Sequence, residues 1–291
     1  MLIRSGVGEV SICTHSRENR LVEPDFTHTV LGNTGLRVHR LGLAASYLPG
    51  ATTLERGLER GMNYFFGYGS DFQMKKFTRT LFARDRDRYV LATGVYNLKI
   101  GYPNIRRTLE KRLRQFGTDY IDLFLFLGVM REKEFPPKAR DEMLRLKDEG
   151  KVRFVGMSCH DRKFAGRMAD EGALDALMIR YNAAHRGAEE DIFPHCPAHH
   201  PGIVSYTATR WTYLLRAPKG WPAGGRVPDA GLCYRFVLSH PAVHVALTAP
   251  RSVRELDQNL DAVERGPLAE DDASFMRSFG DAVHRAKKWF M

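Results

Sequence analysis

Two histidines stand where they could move a proton. His160 follows Ser158-Cys159 directly and His185 follows Tyr181-Asn182, each just past a short aliphatic run. An imidazole titrates near neutral pH, so either could act as acid or base; each could equally cap the next helix or bond a loop carbonyl. Tyr47, Tyr96, Arg186, Arg210 and Trp211 also follow such runs, the two tyrosines as rim packing as readily as chemistry. Further on, Arg251-Ser252 opens a helical segment that continues to Gln258-Asn259. A basic side chain beside a helix N-terminus suits a phosphate, whereas the plainer role for Ser252 is to cap a surface helix. His195-Cys196-Pro-Ala-His199-His200 sets imidazoles and a thiol at spacings that can bind zinc or iron.

Positioning these groups requires a scaffold. Short β-branched or aliphatic runs lie at Arg40 to Ala45, Met62 to Phe66, Tyr89 to Val95, Tyr120 to Leu127, Val152 to Ser158, Ala176 to Tyr181, Gly202 to Tyr206 and Val243 to Thr248. Between them apolar residues recur every three to four positions, as at Ile105, Leu109 and Leu113, or Phe164 and Met168. Strands alternating with helices read as successive βα units around a parallel sheet. Eight units close into a (β/α)8 barrel, and the 291-residue length suits one such domain of about 250 residues. A doubly wound sheet is disfavoured because no Gly-x-Gly-x-x-Gly turn follows any strand. Residues 1–26 are expected to be an N-terminal extension and 27–291 the barrel, with a terminal helix from about Leu268. The Pro- and Gly-rich stretch from Ala217 to Asp229 is the best candidate for a lid.

The composition is that of an ordinary globular chain, 43% hydrophobic and 27% charged. The formal net charge of +10 could attract phosphates, nucleic acid or an anionic membrane. Its cations are scattered, however. Arg106, Arg107, Lys111, Arg112 and Arg114 alternate with apolar positions as on a solvated helix face, and Arg84-Asp-Arg-Asp-Arg88 reads as a solvated turn. With no recognition motif, no nucleic-acid partner is expected. Cys13, Cys159, Cys196 and Cys233 lie far apart, as reduced cytosolic thiols would. No stretch approaches the roughly 18 apolar residues of a membrane span, and Met1 to Val10 lacks a signal-like apolar run, so a cytoplasmic protein with no membrane partner is expected. The oligomeric state, monomer or homo-oligomer, stays open.

Read in order, the punctuation resembles the aldo-keto reductases from roughly Leu31 to Val263. Leu31-Gly-Asn-Thr-Gly-Leu-Arg-Val-His-Arg-Leu-Gly-Leu43 is similar to that family's opening hairpin and first strand. Gly61-Met-Asn-Tyr-Phe65, Phe116-Gly-Thr-Asp-Tyr-Ile-Asp-Leu123 and Gly150-Lys-Val-Arg-Phe-Val-Gly-Met-Ser158 resemble its later strand entries. Tyr181-Asn182, Ile203-Val-Ser-Tyr206 and the Leu247 to Leu260 segment follow at the expected places.

The resemblance implies an oxidoreductase acting on a small molecule with NADP, and it assigns roles. Tyr206 would stack on the nicotinamide, Ser158 would begin to hold its carboxamide, and Arg251, Ser252, Gln258 and Asn259 would take the 2′-phosphate and adenine. Tyr68, matched across a gap of about three residues, would be the proton-donating phenol. Where the family carries Asp, Lys and His at the second, third and fourth strand ends, this chain has Phe66, Gly94 and Leu127. Cys159 and Met178 replace the usual carboxamide-binding Asn and Gln. A phenol without a nearby cation is a poor acid at neutral pH. Ordinary carbonyl reduction is therefore expected to be weak or absent, the proton donor being rebuilt from Tyr68, His160 or His185. The alternative is a barrel repurposed for ligand or partner binding, or for a cofactor-free elimination or isomerisation. The His195 to His200 segment resembles the family's helix end below the seventh strand, so no metal site is expected there.

Overall fold

The run Ile121-Asp-Leu-Phe-Leu-Phe-Leu-Gly-Val129 is apolar on both faces of the chain, which suits a strand covered on one side by a barrel interior and on the other by helices. A computed structural model describes residues 25–97 and 103–287 and forms that arrangement. An antiparallel hairpin, β1 (His28–Val30) and β2 (Arg37–His39), comes first. Eight parallel strands follow: β3 (Leu41–Ala44), β4 (Tyr64–Phe66), β5 (Val90–Tyr96), β6 (Ile121–Val129), β7 (Val152–Cys159), β8 (Ala176–Arg180), β9 (Gly202–Tyr206) and β10 (Val245–Thr248). They close in the order β10-β3-β4-β5-β6-β7-β8-β9.

Helices α1 (Ala51–Glu59), α2 (Phe72–Phe82), α3 (Ile105–Phe116), α4 (Pro137–Asp148) and α5 (Arg162–Asp170) surround the barrel. So do α6 (Ala188–Asp191), α7 (Ala230–Ser239), α8 (Val253–Glu264) and α9 (Glu270–Ala286). The eight expected strands and the (β/α)8 barrel are all present; only ends move, and for local reasons. β4 begins at Tyr64 because Asn63 is occupied with the hairpin, accepting from His39 N at 2.8 Å and donating to Arg37 O at 2.9 Å. β6 runs to Val129 through a register shift after Phe126, with Gly128 at φ 81°. Bulges of this kind re-aim side chains at barrel rims. The extension expected at residues 1–26 falls almost wholly outside the described residues.

Alternation along the strands divides the core into two layers. Tyr64, Phe66, Ala92, Leu123, Leu125, Met178, Val204 and Val245 fill the barrel interior. Their neighbours Phe65, Leu91, Phe124 and Phe126 face the helices. Below the barrel, Asp122 is fully buried and accepts from Arg86 at 2.6 Å, Arg153 at 3.0 Å and the Leu91 amide at 2.9 Å. The solvated-turn reading of residues 84–88 fails for Arg86. Its guanidinium also donates to Thr118 Oγ1, Tyr89 O and Tyr120 O and lies over the Tyr120 ring, so it closes the bottom of the barrel.

The expected lid is held on one side. Trp221 packs edge-on against Phe279 of α9 at 4.8 Å, and Arg226 pairs with Asp272 at 2.7 Å. Only the two ends of the loop after β9 reach the barrel mouth. Among the described residues no helix is long and apolar enough to cross a membrane.

Candidate active site

Parallel strands in a barrel deliver their C-terminal residues to one opening, where reactive groups collect. Here that opening is a continuous cavity of about 1810 Å³. It runs from Phe66, Tyr68, Tyr96 and Leu127 on one side, past Ser158, His160, Met178, Arg180 and Tyr206, to Arg251, Glu255, Gln258 and Asn259 on the other.

At the β4–β6 edge the wall is apolar. Phe66 and Leu127 are buried and point into it. A Cβ on Gly94 would sit 2.1 Å from the Leu125 carbonyl oxygen and 2.9 Å from Leu127 Cγ, so no side chain fits there without moving β5 or β6. Tyr68 packs edge-on against Phe66 at 4.7 Å and lies parallel to Tyr96 at 6.3 Å. Burial raises the Tyr68 phenol pKa, a shift partly opposed by a hydrogen bond with Ser46.

Two charged groups close on this edge from outside the strand ends. Asp71, at the start of α2, accepts the Tyr68 amide at 2.9 Å, and burial raises its carboxyl pKa. Arg112 of α3 reaches under the sheet edge: a Cβ on Gly69 would lie 1.9 Å from its Nη1, and its Nε is 3.4 Å from Gly94 O. Arg112 is thus half-buried behind the mouth rather than on a solvated face, and its field is felt by Tyr96 and Asp71.

The β7–β9 edge is polar. The Tyr206 hydroxyl stands 3.4 Å from Nδ1 and 3.3 Å from Nε2 of His160, with the rings edge-on at 5.9 Å. Burial, then the nearby Arg180, lowers the His160 pKa, so the imidazole is neutral at pH 7. Such a ring is better placed to accept a proton, or to donate a neutral N–H, than to act as an acid. Ser158 is buried and lines the cavity. Cys159 does not reach it: the thiol donates to Asp161 O at 3.2 Å, and burial pushes its pKa up to about 12.

Of the three expected proton-transfer residues, Tyr68 and His160 share the cavity and His185 does not. After β8 the chain turns back through the Asn182–His185 bridge, which carries His185 behind the strands. There it packs edge-on against His284 at 5.2 Å and lines a small separate cavity. Burial and the surrounding cations lower its pKa to about 3. Arg186 binds Asp281 at 2.8 Å, and Arg210 donates to Val283 O at 3.0 Å; both anchor α9.

At the far end, Arg251, Gln258 and Asn259 line the cavity and Ser252 does not. Ser252 caps α8, its Oγ accepting from Glu255 N at 3.3 Å. Asn259 is buried against Thr248, with its Nδ2 at 3.3 Å from Thr248 Oγ1, and Gln258 and Arg251 line the cavity. The Arg251 guanidinium lies over Tyr47 at 5.0 Å, across the cleft. One feature was not foreseen: the Glu255 carboxylate accepts the Arg251 amide at 2.8 Å and so stands at the helix N-terminus. The His195 to His200 segment lies under the barrel, where Asn33 bonds the carbonyls of His199 and His200.

Sequence reasoning also passed over Arg180, which ends β8 opposite Tyr206 and lines the cavity. Period-two alternation from Met178 contained that signal.

A closed parallel barrel whose strand ends open into one long cleft defines a class of enzyme scaffold. Residues 52–217, more than half of the chain, match the aldo/keto reductase family, and the chain belongs to it. Among curated relatives, the L-galactose dehydrogenase of Arabidopsis thaliana is 23% identical over 281 residues, covering 80% of this chain and 86% of its own. The NADH-specific methylglyoxal reductase of Escherichia coli (strain K12) is 27% identical over 219 residues, 62% of this chain and 66% of its own. An aldo-keto reductase of Bacillus halodurans in its holo form shares the fold with a TM-score of 0.72 at 22% identity, covering 91% of this chain and 98% of that one. A Klebsiella pneumoniae aldo-keto reductase solved in complex with NADPH does so with a TM-score of 0.71 at 24% identity, covering 91% and 99%.

Proposed function

We propose that this chain is an NADP(H)-dependent oxidoreductase acting on a small molecule, with a proton-transfer site rebuilt around Tyr68 and His160. The catalytic unit is the barrel from residue 27 on. The observation that carries this reading is the single cavity joining Tyr206 and Ser158 to Arg251, Gln258 and Asn259.

The residues at the far end fit a dinucleotide. Buried Asn259, the capped start of α8 and the Arg251 side chain offer donors for adenine and a 2′-phosphate. The near end fits less closely, because Ser158 remains while Cys159 faces away and Met178 offers only a thioether. When bound, the dinucleotide supplies or accepts a hydride; the chain's own residues orient it and move the proton. Tyr206 offers an aromatic face for stacking. His160, neutral and partly dried by the cavity, suits removal of a hydroxyl proton during alcohol oxidation. Tyr68, lacking a cation at position 94 and raised in pKa by burial, is a weak proton donor for reduction. Carbonyl reduction is accordingly slow, and the oxidative direction is favoured.

Titration with NADPH, followed by the fluorescence of the bound cofactor, tests this reading. Saturable binding is expected, weakened in Tyr206→Ala; no binding at millimolar cofactor overturns it. The closed space at Gly94 and the thioether of Met178 favour a second reading, a barrel that binds a ligand or catalyses a cofactor-free step. A non-nucleotide small molecule that copurifies in the mouth, identified by mass spectrometry, would favour it.

A further inference from the structure

Helices α2 and α3 lie side by side on the outside of the barrel. Together they hold eight Lys and Arg and a single acid, Glu110, a surplus of seven where the whole chain carries +10. The helical repeat sorts these cations by direction. Leu109, Leu113 and Phe116 of α3 are buried, so Arg107, Lys111 and Arg114 fall on the opposite side and are exposed. On α2, Met74, Thr78 and Phe82 are buried, and Phe72, Lys76 and Arg79 form the exposed stripe. The Arg79 guanidinium donates to Arg114 O at 2.9 Å and joins the two stripes into one surface. None of these five cations has an ionic partner among the described residues. The acids around them are engaged elsewhere, Glu110 with Lys151, Glu149 with Arg106 and Asp71 with the Tyr68 amide. Like charges three and four residues apart repel along a helix, so the cluster weakens the fold slightly until an anion meets it.

We propose that this outer face binds single-stranded nucleic acid, with Lys76, Arg79, Arg107, Lys111 and Arg114 on its phosphates and Phe72 stacked on a base. Phe72 is 60% exposed and is the one large apolar side chain exposed on these two helices. A bilayer needs a broader apolar face to enter, whereas a strand with unstacked bases needs a track of cations and an aromatic platform. Read along the chain, the charges alternate with apolar residues and look dispersed; packing α2 beside α3 gathers them. None of the six residues lines the cleft, so the face works independently of the reaction in the mouth.

The test titrates the full chain into fluorescein-labelled oligothymidylate of about 16 nucleotides and follows anisotropy. Micromolar binding is expected at low salt, and with roughly three to five phosphates engaged log K falls against log salt with a slope of about −2 to −3.5. Arg107→Gln, Lys111→Gln and Arg114→Gln together should weaken binding roughly tenfold or more and make the slope shallower by about 2. Phe72→Ala should weaken it several-fold at unchanged slope. Lys219→Gln, Arg265→Gln and Arg285→Gln remove the same charge from exposed positions on other elements and should change affinity by less than about twofold. Equal losses from the two triple variants, a slope near zero, or no binding at low salt with tens of micromolar chain overturns the proposal. So does co-sedimentation with phosphatidylserine vesicles that excess oligonucleotide does not reverse, which would assign the face to a membrane. The wild-type salt slope decides even if a variant fails to fold.

Discussion

At the bottom of the barrel, fully buried Asp122 on β6 holds Arg86 and Arg153 and the Leu91 amide of β5. Toward the top, β4 ends at Phe66, and β5 and β6 carry Gly94 and Leu127 two residues before their ends. Two neighbouring strands are therefore tied together by charge at one end and lined by apolar surface at the other. Residues at the bottom face of such a barrel serve stability, and those at the top serve chemistry. The bottom contacts hold the scaffold independently of what lines the mouth. The ionisable groups at the top lie around the rim, at Arg180 and His160, and at the β4–β6 edge, at Asp71 and Arg112.

Asp122→Ala gives the sharpest contrast. Removing it strands a mostly buried Arg86, and loss of one partner from a buried pair costs about 3–5 kcal/mol. Denaturant unfolding should show that loss, while Asp71→Asn at the top, which keeps an acceptor for the Tyr68 amide, shows far less. Equal losses would break the contrast between the two ends.

Acid should act on the bottom as well. Burial lowers the pKa of His39 and of His244 to about 4 each. Both therefore stay neutral in the folded chain while the unfolded chain takes up protons below its ordinary value near 6.5. The unfolded state binds more protons in that window, so stability is complete above about pH 6.5 and is lost as pH falls toward 4. Unfolding midpoints measured across that range should fall, with a shallower slope in His244→Asn, which still offers an acceptor to the Ile203 amide. A flat profile would remove these histidines from the account.

A lysine placed at position 94 should not speed carbonyl reduction. Gly94→Lys forces a side chain against the Leu125 carbonyl, costing about 1–3 kcal/mol as overpacking does, and leaves NADPH-dependent carbonyl reduction no faster. A stable variant with increased reduction would show that the strand ends still hold the family's geometry. The smallest effect is expected at the far end of the cleft. Glu255→Gln removes a negative charge beside Arg251 at the start of α8, and NADPH should bind roughly two- to fivefold tighter, as a helix-terminal charge implies, with NADH little changed. Equal changes for both cofactors would place the 2′-phosphate elsewhere.

The scaffold was legible because its signals are local. Runs such as Ile121 to Leu127 and the helical stripe Ile105, Leu109 and Leu113 report which face is buried from a few residues alone. Ser252 announced its cap in the same way. The site was legible only in part. Tyr68, His160 and Tyr206 do meet in one mouth, yet His185 looked equivalent to His160 in sequence and lies behind the sheet. Nothing near it in the chain reveals the turn at Asn182 or the ring of His284 that receives it. Arg86 and Arg112 were misread for the same reason, the first as part of a solvated turn and the second as a charge on a solvated helix face.

From sequence alone came the eight strands, their order and the residue types Phe66, Gly94 and Leu127 near three strand ends, since periodicity and residue identity are properties of short stretches of chain. Tertiary structure alone decided which charges face the cavity. Arg180 stands opposite Tyr206, Arg112 lies behind Gly69 and Glu255 reaches the Arg251 amide because folding brings those groups together. Burial among distant neighbours, which no local pattern encodes, then sets the protonation of His160 and the field around it.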